Sequence, residues 1–303
     1  MKIGKKNLSA ENVIFTTLNS TFLILLSVAM IYPMLNTLAI SFNEGMDTVR
    51  GGIYLWPRIF SLQNYRVVFH MDTIYGAFMI SVLKTIVIVI TNLFFTSMLA
   101  YALSRREFIF RKSITVLFVM TMYFNAGLIP NYMLIRDLHM INTFTVYWLP
   151  NIISAFNLIV IRTYIRSIPE SFIESAKIDG AREFRIFLQI ILPLCVPTLA
   201  TIALFVAVGS WNSWFDTFLY NSAKQSLSTL QYELQKLLAS AMNAGNTSAG
   251  VGAAAAQSGA GNVTTPQSIR AAITIVVAVP ILLVYPFLQR YFVNGLALGG
   301  VKG

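Results

Sequence analysis

The sequence predicts an all-α polytopic membrane protein with six transmembrane helices. Hydrophobic residues make up 56% of its 303 positions and charged residues only 11%, against about 25% charged in a soluble domain. Six apolar stretches are long enough to cross about 30 Å of hydrocarbon. Lys and Arg collect in alternate connections, the pattern that sets orientation in a bilayer.

The first stretch, approximately Phe15 to Phe42, follows a tail over 1–14 that holds Lys2, Lys5 and Lys6. Its length, and the lack of a small-residue cleavage site before Tyr32-Pro33, predict an uncleaved span rather than a signal peptide. Asn43 to Ile74 mixes Gly51-Gly52, Trp56-Pro57 and several aromatics, which predicts a folded outer loop closing a 15–74 segment. The second span, Tyr75 to Leu103, opens a helical core over 75–293 and carries Lys84, whose stem can lie along lipid while its amine reaches the headgroups.

The third span, Ser113 to Ile135, is interrupted by F-N-A-G-L-I-P, with Asn125 and Gly127 ahead of Pro130. A broken helix is tolerated at membrane depth only against protein or a wet cavity, so these residues are candidates to line a passage. The fourth span runs from Phe144 to Ile165. The fifth, Phe187 to Phe215, ends in G-S-W-N-S-W-F-D-T-F, which places Trp211, Asn212, Trp214 and Asp216 near the outer interface. An aromatic belt and contact with a solute both explain such a cluster. The outer loop over 216–268 contains a Gly/Ala-rich stretch beginning at Ser248, too poor in buriable side chains to offset its ordering entropy, and is expected to have a mobile tip. The sixth span, Ile269 to Val293, precedes a tail over 294–303.

Orientation follows from the cations. Lys2, Lys5, Lys6, Arg105, Arg106, Arg111, Lys112, Arg162, Arg166, Lys177, Arg182, Arg185, Arg290 and Lys302 fall on one side. Arg50, Arg58, Arg66, Arg136, Lys224, Lys236 and Arg270 are spread over the longer loops opposite. Both termini are therefore predicted to be cytoplasmic. The formal charge of +10 thus has a topological explanation that requires no nucleic acid.

Between Pro169 and Pro193 the apolar chain is interrupted by P-E-S-F-I-E-S-A-K-I-D-G-A-R-E-F-R-I-F-L-Q-I-I-L-P. Ser167 and Glu170 have capping-box spacing with Pro169 inside the first turn, so a helix is predicted over 168–180. Ile168, Phe172 and Ala176 recur every four residues as its apolar face, and Gly180 supplies the positive φ that ends it. A second helix then runs through Arg182 and Arg185 into the fifth span.

This segment resembles the coupling motif of ATP-driven importers: E-A-A, three residues, G, nine residues, then I-x-L-P. Here Glu174, Ser175 and Ala176 precede Gly180 at the same spacing, and Ile190, Ile191, Leu192 and Pro193 close the pattern. Ser175 for alanine, a small-for-small exchange, is the departure. An amphipathic helix lying on the lipid surface is the alternative. The segments A-Y-A-L-S-R-R at Ala100, G-L-I-P-N-Y at Gly127, S-A-F-N-L-I-V-I-R-T at Ser154, S-I-P-E at Ser167, Y-P-F-L-Q-R-Y-F-V-N-G at Tyr285 and the closing G-G-V-K-G are similar to type I ABC importer permeases for carbohydrates, most of all those for complex oligosaccharides.

The resemblance implies a six-helix type I ABC importer transmembrane domain in a bacterial cytoplasmic membrane. It implies a homologous second permease, two cytoplasmic ATPase subunits that bind ATP and Mg, an extracytoplasmic sugar-binding protein and an oligosaccharide substrate. It casts Glu170, Glu174, Ser175, Ala176, Asp179 and Gly180 as the ATPase-coupling helix. Asn125, Gly127, Trp211, Asn212, Trp214 and Asp216 become candidates for the substrate path. No cofactor is expected in this chain itself.

Catalytic patterns are missing from the sequence. It has no G-x-x-x-x-G-K-[ST] phosphate loop. Its two histidines, His70 and His139, lie far apart in loops without metal-ligand spacing, and Cys195 is the single cysteine, between Pro193 and Pro197. A secondary transporter would need carboxylates within its spans, whereas the acidic residues fall in loops or near span ends. An importer permease for amino acids or polyamines would carry the same coupling motif.

Overall fold

The computed structural model describes residues 10–245 and 264–300, with side chains over 11–240 and 264–286. Lys2, Lys5, Lys6, Lys302, the Arg290 side chain, the stretch from Ser248 and most of the closing motifs lie outside the described residues. The helices, in chain order, are α1 (Ala10–Ser41), α2 (Gly45–Val49), α3 (Gln63–Phe69), α4 (Asp72–Ser104), α5 (Arg111–Tyr123), α6 (Leu128–Asp137), α7 (Thr145–Trp148), α8 (Ala155–Ile165), α9 (Ser171–Ile178), α10 (Glu183–Ile186), α11 (Leu192–Leu194), α12 (Val196–Asn212), α13 (Phe215–Tyr220), α14 (Leu230–Gly245) and α15 (Pro266–Gly300). Among the described residues, three stretches, Glu11–Ser41, Asp72–Ser104 and Pro266–Pro286, are long and apolar enough to cross a membrane. Six crossings result when three bent helix pairs are each taken as one span.

Each bend has a local cause. At the 120° turn between α5 and α6, Gly127 takes φ 88° and its amide donates to Asn125 Oδ1 at 2.9 Å, a side-chain turn that replaces the helical ladder. The 47° bend ahead of α8 falls where Ser154 caps a new helix, accepting from the Asn157 amide. The fifth span is not straight: Glu183–Leu194 and α12 meet at 80° around Cys195. Pro193 and Pro197 flank that point, each lacking an N–H and crowding the carbonyl four residues back. The ladder widens into a π-helical turn at Phe187–Ile191 just before them.

The chain forms two compact units, Met1–His70 with Leu237–Val276 and Met71–Lys236 with Val277–Gly303. In the first, the predicted outer loop is folded by a polar knot. Asn43 Nδ2 donates to Asp47 Oδ2 and Thr48 Oγ1 at 3.0 and 3.1 Å, Arg58 pairs with Asp47 at 3.1 Å, and Asn64 donates to the carbonyls of Ser41 and Asn43. Ser268 Oγ returns a bond to Asn64 Oδ1 at 2.8 Å.

The second unit is organised by α4, which packs along α8 and α12. Most of its buried residues, among them Ala77, Ser81, Lys84, Ile88, Asn92, Thr96, Ala100 and Leu103, recur every three or four positions and so form one stripe. Small side chains in that stripe let neighbouring helices approach closely. Tyr101, Leu158, Ile161, Ile173, Ala176, Phe187, Cys195 and Ile202 meet in one core cluster. Cys195 is buried there as a free thiol, a small packing residue.

Candidate functional site

Two arrangements in the second unit bring charged and polar side chains together. The first is the corner after α9. That helix begins at Ser171 rather than 168, and the predicted capping box does not form. Ser167 Oγ donates back to the Tyr164 carbonyl at 2.7 Å, and Glu170, at the N-cap, makes no side-chain cap. The apolar face is also displaced: Ile173 and Ala176 are buried while Phe172 is exposed. Pro169 separates Ile168 from the helix, so the phase is set afresh at Ser171. Glu174, Ser175 and Asp179 are exposed, as is Ile178 at 85%.

The helix ends as predicted. Gly180 has φ +77°, its amide donates to the Lys177 carbonyl at 3.0 Å, and the Ala181 amide reaches the Ala176 carbonyl at 2.9 Å. These two bonds form a Schellman motif, which satisfies the last carbonyls of α9 while reversing the chain.

Charged side chains that the sequence reading left unassigned brace this corner. Lys177 Nζ lies 2.9 Å from Glu183 Oε1 and 3.2 Å from Glu107 Oε1, so one ammonium joins α9, the start of α10 and the loop after α4. Tyr101 donates its hydroxyl proton to Glu183, and Arg105 pairs with Glu107 at 3.2 Å. A hydrogen bond from its own backbone amide and the nearby Lys177 hold the Glu107 carboxyl below the usual range. Glu183 and Glu107 raise the Lys177 ammonium above its own. Lys177 and Glu183 lie in the variable gaps of the motif, where spacing carries no signal.

The second arrangement is a cavity of about 470 Å³ with mixed polar and apolar walls between α4, the start of α8 and the end of α12, within the size range of ligand pockets. Lys84 overturns the expectation of a snorkelling side chain. It is 1% exposed, donates to the Ser213 carbonyl at 3.1 Å, lies 3.4 Å from Asp216 Oδ2 and stands 4.8 Å over the Tyr147 ring. Ser213 Oγ donates to the same carboxylate oxygen at 2.6 Å.

About two helical turns along α4, Asn157 Nδ2 donates to Asn92 Oδ1 at 3.2 Å and Asn92 Nδ2 to the Asn151 carbonyl at 2.7 Å. Ser210 also lines the cavity, and its buried hydroxyl has no partner among the described residues. The walls therefore offer amides, a hydroxyl and an internally neutralised ion pair.

Of the residues proposed for a substrate path, Asp216 lines this cavity and the others do not. Trp211 is buried, donating its indole N–H to the Val277 carbonyl at 3.0 Å, so it packs helices together instead of facing an interface. Trp214 meets Phe215 edge-on and Phe218 at a tilt. Asn212, Asn125 and Gly127 are exposed. The polar positions missed from sequence, Asn92 and Asn157, are 65 residues apart. The available signal was that Lys84, Ile88 and Asn92 share one face of α4.

Comparison with known proteins places this geometry. Residues 93–298 match the family described as binding-protein-dependent transport system inner membrane component. The polygalacturonan/rhamnogalacturonan transport system permease protein YtcP of Bacillus subtilis (strain 168) is 36% identical over 295 residues, covering 97% of this chain and 100% of that protein. Protein LplC of the same organism is 34% identical over 292 residues, covering 96% and 95%. The crystal structure of a bacterial ABC transporter involved in the import of the acidic polysaccharide alginate contains a chain that superposes with a TM-score of 0.85 at 28% identity, covering 95% of this chain and 100% of that one. The helical bundle, the glycine corner after α9 and the extent of these matches lead to one assignment: the chain belongs to the family of binding-protein-dependent transport system inner membrane components.

Proposed function

We propose that this chain is the permease subunit of an ATP-driven importer that carries oligosaccharide across a bacterial cytoplasmic membrane, and that separate ATPase subunits drive it through α9. The outward side of α9 carries this reading. Ile173 and Ala176 anchor the helix in the core, while Phe172 and Ile178 stand exposed beside Glu174, Ser175 and Asp179. Large apolar side chains flanked by carboxylates on a rigidly cornered helix suit insertion into a cleft of a partner protein.

The cavity around Asn92, Asn157, Ser210 and Asp216 supports a polyhydroxylated solute, since sugar hydroxyls both donate and accept. The relative named for polygalacturonan/rhamnogalacturonan transport and the solved transporter named for alginate import favour saccharide over amino acid or polyamine. In this reading a second homologous permease completes the passage, two ATPases hold ATP and Mg, and an extracytoplasmic binding protein delivers the sugar. The basic loops around α9 face the cytoplasm with both termini.

Affinity purification of the full chain from its native membrane tests the proposal. An ATPase and a second permease should be recovered, and Glu174→Lys should lower ATPase recovery while the second permease stays bound. Recovery of the wild-type chain without an ATPase would overturn the coupling role. Uptake of amino acids but not oligosaccharides by the reconstituted complex would overturn the substrate class.

A further inference from the structure

A basic pocket of about 590 Å³ opens beside α9, sharing Arg105 with the corner clamp and lying apart from the cavity around Asn92. Arg106, Arg111, Lys112, Arg162 and Arg166 line it with Arg105, and Glu170 is the one carboxylate among its lining residues. Arg106 meets Glu170 at only 3.8 Å. Arg162 Nε donates to the Leu103 carbonyl at 3.0 Å, and Arg111 Nη1 reaches the Arg105 carbonyl at 3.5 Å. These bonds orient guanidinium groups without neutralising them, and Arg111 and Arg166 lie near enough to repel Arg162. The side chains of Arg166 and Lys112 make no hydrogen bond or ion pair among the described residues.

The pocket also has a depth and an apolar side. Its lining includes Ser104, the last residue of α4, Arg111, the first of α5, and Ile165, the last of α8. It therefore sits where three apolar helices end. Ile168, half-buried, supplies hydrocarbon next to the cations and is backed by the buried Ile165 and Ile173. A free anion would have no use for that side, and a protein carboxylate would leave most of the positive charge unanswered.

We propose that this pocket holds the headgroup of an anionic phospholipid. Guanidinium forks and the Lys112 ammonium engage its phosphate oxygens, and its acyl chains leave along the isoleucine side. Basic pockets between membrane helices suit such headgroups. Because Glu170 and Ile173 belong to the pocket as well as to the α9 segment, the bound lipid braces that segment against the ends of α4 and α8.

The test titrates tetraoleoyl cardiolipin and dioleoyl phosphatidylglycerol onto the purified full chain, read by native mass spectrometry. Lys112→Gln/Arg166→Gln removes two exposed, unbonded cations and should weaken binding about 25-fold, or roughly fivefold for each. Arg50→Gln/Arg66→Gln, with the same charge change elsewhere, should retain wild-type binding, and excess inorganic phosphate should not displace the lipid. Lys112→Gln alone, expected to cost about fivefold, serves if the double variant fails to fold. Equal weakening in the control pair would reduce the effect to general surface charge. Displacement by inorganic phosphate would make this a free-anion site. Unchanged lipid binding with loss of the co-purified ATPase would assign the cations to protein carboxylates. Any of these three results overturns the proposal.

Discussion

Replacing Gly180 perturbs the α9 corner with unusually little collateral damage. A Cβ built there meets no heavy atom within 4 Å, so the cost lies in the backbone alone. At φ +77°, an L side chain costs about 1–2 kcal/mol, with the β-branched Val at the upper end. Opposing it are the two Schellman bonds at 3.0 and 2.9 Å, each contributing about 1 kcal/mol net. The terms are comparable, so the closed corner should lose a factor of roughly 5–30 in population. Gly180→Ala should be intermediate and Gly180→Asn mild, because Asn tolerates this conformation. The assay is binding-protein-stimulated ATP hydrolysis and sugar uptake by the reconstituted transporter. The Val variant should insert normally yet lose at least about fivefold of the stimulated rate. Wild-type stimulation in Gly180→Val, or an Asn variant as impaired as Val, would refute the reasoning.

Lys84→Met strands Asp216, but that carboxylate is 31% exposed and keeps Ser213, so the loss should fall below the buried-pair range, at about 2 kcal/mol. Lys84→Met/Asp216→Asn should recover most of it in thermal unfolding, and no recovery would mean that the pair is not coupled. Trp211→Phe should cost about 1 kcal/mol of stability without changing the sugar KM; a raised KM would return Trp211 to the substrate path. The clamp around Lys177 should be bounded on both sides of pH. The lowered Glu107 value makes its contribution full above the ordinary carboxylate range and lost as pH falls through that lowered value. The raised Lys177 value makes its contribution full below the ordinary lysine range and lost as pH rises through the raised one. Both groups are partly exposed, so the stability difference between wild type and Lys177→Met should stay within about 1 kcal/mol and vanish at both extremes. A pH-independent difference would show that Lys177 acts through packing.

What the sequence revealed depended on how local the cause was. Gly180 was legible because positive φ at a helix end is decided within a few residues, and α1 and α4 because hydropathy over thirty residues admits few alternatives. The capping box failed because Ser167 had a nearer acceptor in the last turn of α8. The stripe was misphased because Pro169 resets the helix. Lys84 was misread because its partner lies 132 residues away, and a lysine near a span end looks the same whether it meets water or a buried carboxylate. The bend at Cys195 has its local signal in Pro193 and Pro197, inside the stretch that hydropathy alone joins into one span over Phe187 to Phe215.

That bend makes the segment a bell crank. The arm from Glu183 to Leu194 is about 18 Å long, and the 17-residue α12 beyond the pivot is about 25 Å long, at 1.5 Å per residue. If the 80° angle at Cys195 is kept, each ångström of sideways push at the corner moves the far end of α12 by roughly 1.4 Å, the ratio of those two lengths. Ser210 and its neighbours at the cavity wall ride on that far end. A small stroke on one face of the membrane is thus returned larger and turned through nearly a right angle, and spin labels on exposed Phe184 and Asn212 would reveal a yielding pivot as a changed separation between them.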